Sequence, residues 1–220
     1  MTRTRLLRGV LIAASSLVLA LSACSSGDSK GSSASSTAAG SASESAGATA
    51  TPATADGPFG PGCAAVPTDG PGSFAAMAAV PAATAASGNP ALSSLVQALT
   101  TANLVDSLNT TPELTVLAPA NQAFQAIPPD ALQAVMADNA QLTALLLHHV
   151  IQGRLAPAQL AGTHTTLSND EVTVAGSGDA FTIAGEGTFS GSPATVVCGN
   201  IQTANATVYL LDQVLKPSAP

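Results

Sequence analysis

The chain has 220 residues and a formal net charge of −7; only 9% of its residues are charged, while 46% are apolar. That length allows one ordinary domain plus a leader and a linker, and so few ionisable groups leave a charge-relay or metal-cage enzyme little material to work with. The acidic balance also excludes nucleic-acid binding and adhesion to anionic lipid through basic patches, both of which need clustered Lys and Arg.

The first stretch reads as an export leader. Arg3, Arg5 and Arg8 form a positive flank, and Leu11 to Leu21 is an apolar run too short for a spanning helix of about 20 residues. It ends in Leu21-Ser22-Ala23-Cys24, which resembles the lipobox of bacterial lipoproteins. That resemblance implies cleavage after Ala23 and a diacylglycerol on the Cys24 thiol, and several acyl chains on one residue anchor stably. Removal of the three arginines takes the net charge from −7 to −10. Ser25 to Ala55 is almost wholly Ser, Ala, Gly and Thr and cannot bury a core. As a flexible coil of roughly 30 residues it reaches about 30 Å. The expected organisation is a lipoprotein signal peptide over 1–23, the lipidated cysteine and tether over 24–55, and one folded domain over 56–220.

Within the domain, Asp56 to Gly72 is a Pro- and Gly-rich lead-in around Cys63, with Phe59 expected to be exposed. Ser73 caps a helix from Phe74, and Pro81 opens or kinks its second half. Asn89-Pro90 starts a stronger helix, a capping Asn followed by Pro at the first helical position. Leu92, Leu95, Val96 and Leu99 give it one core face. Leu114, Val116 and Ala118 alternate with Thr115 and Leu117 as a mostly buried strand ending at Pro119. Asn121 is expected to cap a short helix with Phe124 and Ile127 on its apolar side. Further helices carry Leu132, Val135 and Met136 inward, then, after a cap at Asn139, Leu142, Leu145 and Leu146. His148 to Ile151 lead into extended structure, and Pro157 to Leu160 form a helical turn. From Gly162 onward short β runs follow: 163–168, 171–175, 180–184 and 195–198. The closing run, Thr207 to Leu215, is apolar on both alternating faces, as a central strand would be. Helices first and hairpins later imply an α+β fold.

Three ordered blocks carry a family resemblance. Leu114 to Phe124 reads Leu-Thr-Val-Leu-Ala-Pro-Ala-Asn-Gln-Ala-Phe. Leu145 to Gly153 reads Leu-Leu-Leu-His-His-Val-Ile-Gln-Gly. Asn205 to Pro217 closes with Val-Tyr-Leu-Leu-Asp-Gln-Val-Leu-Lys-Pro. Together they resemble the signature blocks of the fasciclin domain over roughly Asp56 to Pro217, and Leu104-Val105-Asp106-Ser107-Leu108 matches the family's approach to its central strand. His148 stands where the family usually has Tyr, and Ala206 where Gly is more common. The Gly60-Pro61-Gly62-Cys63 entry and Val197-Cys198-Gly199 are most like single-domain fasciclin lipoproteins and secreted antigens of actinobacteria. The resemblance implies a β-sandwich or wedge with several helices packed along one edge.

Once Cys24 is lipidated, Cys63 and Cys198 remain. Export permits a disulfide, and free buried thiols or a two-cysteine metal site are the alternatives. The actinobacterial likeness implies the Cys63–Cys198 bridge, which closes a loop of over a hundred residues and stabilises by at most about 4–5 kcal/mol.

No lipase elbow, zinc-protease helix or phosphate loop is present, so no catalytic residue, cofactor or metal is expected. His148 and His149 are the candidate binding residues. Placed in a strand they point to opposite faces and cannot chelate one ion together. His149 is expected to be structural, with a ring nitrogen on the backbone. Asp170-Glu171 reads as solvated charge in a hairpin turn, Asp212 as an acceptor for backbone, and the glycosylation patterns at Asn109 and Asn205 as chance. The family implies a lipid-anchored module on the outer face of the cell membrane, or a shed extracellular form. Its partners would be the membrane, through Cys24, and extracellular proteins, matrix or glycans. The alternative is an envelope carrier binding a small hydrophobic ligand or haem in an apolar pocket beneath His148 or His164.

Overall fold

The computed structural model describes residues 57–217. The expected leader, the lipidation site at Cys24 and the tether lie outside them. The lead-in makes a 3-10 turn, Pro61–Ala65, and four short helices follow: α1 Phe74–Ala78, α2 Ala82–Gly88, α3 Ser93–Thr101 and α4 Val105–Thr110. Strand β1 (Leu114–Pro119) leads to α5 (Asn121–Gln125), α6 (Pro129–Ala137) and α7 (Asn139–His148). The rest is β2 (Val150–Gln152), α8 (Pro157–Leu160), β3 (Gly162–Thr165), β4 (Glu171–Ser177), β5 (Ala180–Ile183), β6 (Ala194–Gln202) and β7 (Ala206–Leu211). None of the described helices is long and apolar enough to cross a membrane.

All seven strands join one sheet in the order β2-β1-β7-β6-β5-β4-β3. Among the described strands only β1 and β7 pair in parallel. A bridge between Ile151 and Thr166, with Leu167 N–H donating to Val150 O at 2.8 Å, brings the two ends of the sheet together. The sheet therefore curls into a near-barrel, within the α+β class expected. It has apolar cores on both sides. Leu114, Ala118, Val208 and Leu210 face the helices, while Leu117, Tyr209 and Leu211 face the interior of the curl with Phe59, Val172, Val174, Phe181 and Ile183. That is why β7 is apolar on both alternating faces, and every residue of it is buried.

Phe59 corrects the sequence reading. It is 5% exposed, with its ring 5.8 Å from Phe181 and 6.3 Å from Tyr209. Its backbone pairs with Gly199 in both directions (3.1 and 2.8 Å), and a Cβ on Gly199 would lie 2.3 Å from the Phe59 ring, so only glycine admits the lead-in. Beside it, Cys63 and Cys198 are joined by a disulfide with Cα atoms 4.8 Å apart. The bulge in β6 between Val196 and Cys198 turns Cys198 from the curl to the helix side, where Cys63 meets it.

The caps also differ from expectation. Ser73 caps α1 as predicted, accepting from Ala76 N–H. Asn121 does not cap its own helix: its Oδ1 accepts from Ser94 N–H at 3.0 Å and its Nδ2 donates to Pro90 O, so it ties α5 to the start of α3. Asp138, not Asn139, caps α7 through Ala140 and Gln141 N–H. Met136 is 36% exposed rather than inward, because α6 packs mainly on α7 and leaves its far side open. Helix α2 follows Pro81, which offers no capping side chain, and its first donors are satisfied from a distance. Asn205 accepts from Ala82 N–H at 2.9 Å, and Asn109 accepts from Ala83 and Thr84 N–H. Asn205 also donates to Leu108 O and Thr111 O, both at 2.7 Å.

This gives a first prediction. Asn205→Ala leaves one buried donor and two carbonyls unpaired and should cost about 2–3 kcal/mol in urea unfolding. A loss below about 0.5 kcal/mol, the size of a neutral surface change, would contradict the role given to this turn.

Candidate functional site

The histidine pair sits where α7 ends. His148 is the last residue of the helix and His149 its cap, with ring centroids 6.1 Å apart and planes nearly perpendicular. They do not lie in a strand, as the sequence suggested, and both are buried, at 3% and 2% exposure.

His149 donates from Nδ1 to Leu145 O (2.8 Å) and accepts at Nε2 from Leu215 N–H (3.0 Å). Both nitrogens are fixed, which selects the neutral Nδ1–H tautomer. Burial, against the helping bond to Leu145, pushes its pKa down to about 4.

His148 turns to Asp170, its Nδ1 lying 2.6 Å from the Asp170 Oδ2. The same carboxylate accepts from Ser168 Oγ at 2.5 Å and from Thr166 Oγ1. Asp170 is therefore not solvated turn charge. The turn after β3 folds back through Thr166 N–H to Asp170 O (2.9 Å), with Asn169 in a left-handed conformation at φ 62°. Burial alone would raise the Asp170 pKa, but the bonds from Ser168, Thr166 and His148 outweigh it and hold it at about 2. The spacing Thr166-x-Ser168-x-Asp170, with hydroxyls two and four residues before a carboxylate, was the signal available in the sequence.

A cavity of about 140 Å³ lies beside His148, bordered by Glu171, Glu186, Lys216 and Thr173. Its lining is mixed, with Val172, Ile183 and Ala184 beside these charged groups, and so differs from the mainly apolar pocket expected for a hydrophobic carrier at this histidine. His164 lies apart, with Nε2 donating to Leu160 O at 2.9 Å. Asp212 accepts from Thr195 N–H at 2.6 Å, as expected, and Asp106 is exposed in the first turn of α4. Among the described residues no three His, Cys, Asp or Glu side chains converge to hold a metal ion.

The pH dependence follows with a definite sign. His149 binds its proton less readily when folded than its ordinary value of 6.5 allows, so its contribution is complete above pH 6.5 and is lost as pH falls towards 4. At about 1.4 kcal/mol per pKa unit, stability should fall by about 3 kcal/mol over that window, read from urea midpoints. His149→Gln should flatten the slope there; an unchanged slope would contradict the assignment. Asp170 acts lower, its contribution being lost below pH 3.8 towards 2.

The fasciclin domain family matches residues 90–217. The immunogenic protein MPB70 of Mycobacterium bovis is 41% identical over 181 residues, 78% of this chain and 89% of that protein. The cell surface glycolipoprotein MPB83 of the same species is 43% identical over 169 residues, 73% of each chain. Among solved structures, the FAS1 domain pair of the insect cell adhesion molecule fasciclin I superposes with a TM-score of 0.51 at 13% identity, over 66% of this chain and 52% of that one. Sequence blocks, matched domain and shared fold agree: this chain belongs to the fasciclin family.

Proposed function

We propose that this chain is a cell-surface, lipid-anchored fasciclin domain that works as a non-catalytic adhesion or protein- and matrix-binding module. The observation that carries this reading is that the groups best suited to chemistry, His148 Nε2 apart, are occupied in holding the fold. His149 has both ring nitrogens on backbone groups, and His164 is bonded to Leu160. The hydroxyls of Thr166 and Ser168 donate to Asp170, so neither is activated by an imidazole as a nucleophile would be. The names of the relatives support location: a cell surface glycolipoprotein and an immunogenic protein meet what lies outside the cell. The Leu21-Ser22-Ala23-Cys24 stretch supports the anchor, and the Ser/Ala/Gly/Thr stretch after it would hold the domain off the membrane.

The partner class is extracellular protein, matrix or glycan. The two histidines of the signature block offer such a partner little, since both are buried. Contact falls instead to the exposed faces of the helices and hairpins.

The test is Cys24→Ala in a host that processes lipoproteins. The variant should leave the membrane fraction and appear as a soluble extracellular protein, and cells carrying it should lose adherence to immobilised matrix protein. A variant that still pellets with membranes would sink the anchor. Wild-type cells that adhere no better than cells lacking the protein would sink the adhesion role.

A further inference from the structure

One nitrogen of the histidine pair makes no bond within the fold. His148 Nδ1 lies 2.6 Å from Asp170 Oδ2, while Nε2 has no partner among the described residues. It is not sealed in: Asn89 Nδ2 is the one sealed polar side-chain atom left unpaired among those residues. His148 is 3% exposed and lines the cavity of about 140 Å³, so that cavity is where Nε2 meets solvent. A nearly buried polar atom without a partner calls for an explanation.

The dyad fixes what Nε2 can do. An ionised carboxylate accepts and cannot donate, so the proton of the neutral ring sits on Nδ1, facing Asp170. Nε2 is then an acceptor, and its direction is held, because Asp170 is itself braced by Ser168 and Thr166. A ligand at this floor must donate.

The rim decides the ligand's charge. Glu171 opens β4, Glu186 lies in the 3-10 turn Gly185–Gly187, and Lys216 is placed by its backbone N–H, which donates to Gly187 O at 2.8 Å. All three are exposed, and among the described residues the only ion pair is His148 with Asp170, so the rim charges are not used within the fold. Two rim carboxylates outnumber one ammonium, and Asp170 lies behind the ring. His148 also ends α7, so the floor lies at the negative end of that helix. Each of these favours a cation. Val172, Ile183 and Ala184 add an apolar wall. The volume is close to that of the engineered cavities, about 150 Å³, that admit benzene, so a small molecule fits.

We propose that this cavity binds a small primary amine in its ammonium form. The ammonium donates to His148 Nε2 and to the carboxylates of Glu171 and Glu186, and a short aliphatic group lies against Val172, Ile183 and Ala184. Lys216 allows a carboxylate on the same molecule, so a simple alkylamine and an apolar amino acid both carry the chemistry. The inference stands independently of the adhesion reading, and it places a cationic ligand where the sequence suggested a hydrophobic one.

The test follows the nitrogen-15 resonances of the imidazole rings in the full chain at neutral pH. The protein is titrated with isobutylamine and, separately, with L-valine, the same amine bearing a carboxylate. Saturable movement of the His148 Nε2 resonance is expected, with His149, bonded to backbone at both nitrogens, unmoved. Isobutanol, which lacks the charge, and isobutyrate, which reverses it, should bind at least about tenfold more weakly. Glu171→Gln combined with Glu186→Gln should weaken amine binding about tenfold, with thermal melts confirming that these exposed changes leave the domain folded. Valine binding that Lys216→Gln weakens identifies an amino acid as the ligand, and isobutylamine binding alone identifies a simple amine; both keep the site. The proposal is overturned by no saturable movement at His148 with either amine, by isobutanol binding as tightly as isobutylamine, or by binding that the double glutamine variant leaves intact. A His148 ring whose Nε2 already carries a proton at neutral pH would also overturn it.

Discussion

A neutral imidazole joins the helical layer to the sheet. His149 caps the helix that precedes β2, takes the Leu145 carbonyl with one nitrogen and the Leu215 N–H with the other, and so ties the middle of the chain to its closing segment. Both bonds are made in a site closed to water, where an unmade hydrogen bond costs most. Around this link the sheet can curl. Its ends meet through Ile151 and Thr166, two residues and seventeen residues further on, and the Asp170 cluster braces the turn that follows. Protonating His149 would replace an acceptor with a donor facing another donor, so the frame depends on one tautomer.

The legible part of the fold was the part with a strong local period or a cap. The Asn89-Pro90 start, the β1 corner at Pro119 and the two-faced apolar run of β7 are local facts and stand as read, save that the closing strand ends at Leu211 rather than Leu215. The misreadings share a cause: each depended on a residue far away in sequence. Asn121 has the chemistry of a cap, but the N–H it serves belongs to Ser94. Phe59 sits in a Pro/Gly stretch that reads as exposed until Gly199 and the inner face of the curl are known. Asp170 is a turn carboxylate whose neighbour His148 arrives from another helix. The orphan amide of Asn89 could not be read at all, because it exists only once the capping oxygen is assigned and the walls are in place.

The same distribution of polar groups bears on function. In a chain this poor in charge, Arg154 is held by the Thr203 and Ala206 carbonyls. Asp212 and Asp170 are likewise engaged in local bonds, and the disulfide fastens the lead-in to β6. A frame stapled near its entry suits the binding role proposed above, because binding by a preformed surface loses less conformational freedom than binding by a mobile one.

The most direct measurement on this account is the tautomeric state of the three histidines, read from nitrogen-15 shifts of the imidazole rings in the full chain at neutral pH. His149 should be neutral with its proton on Nδ1 alone, bonded to Leu145, and Nε2 accepting from Leu215. A His149 ring with its proton on Nε2, or one that exchanges between tautomers as a free imidazole does, would contradict the frame described here and return the histidine pair to the list of groups available for chemistry.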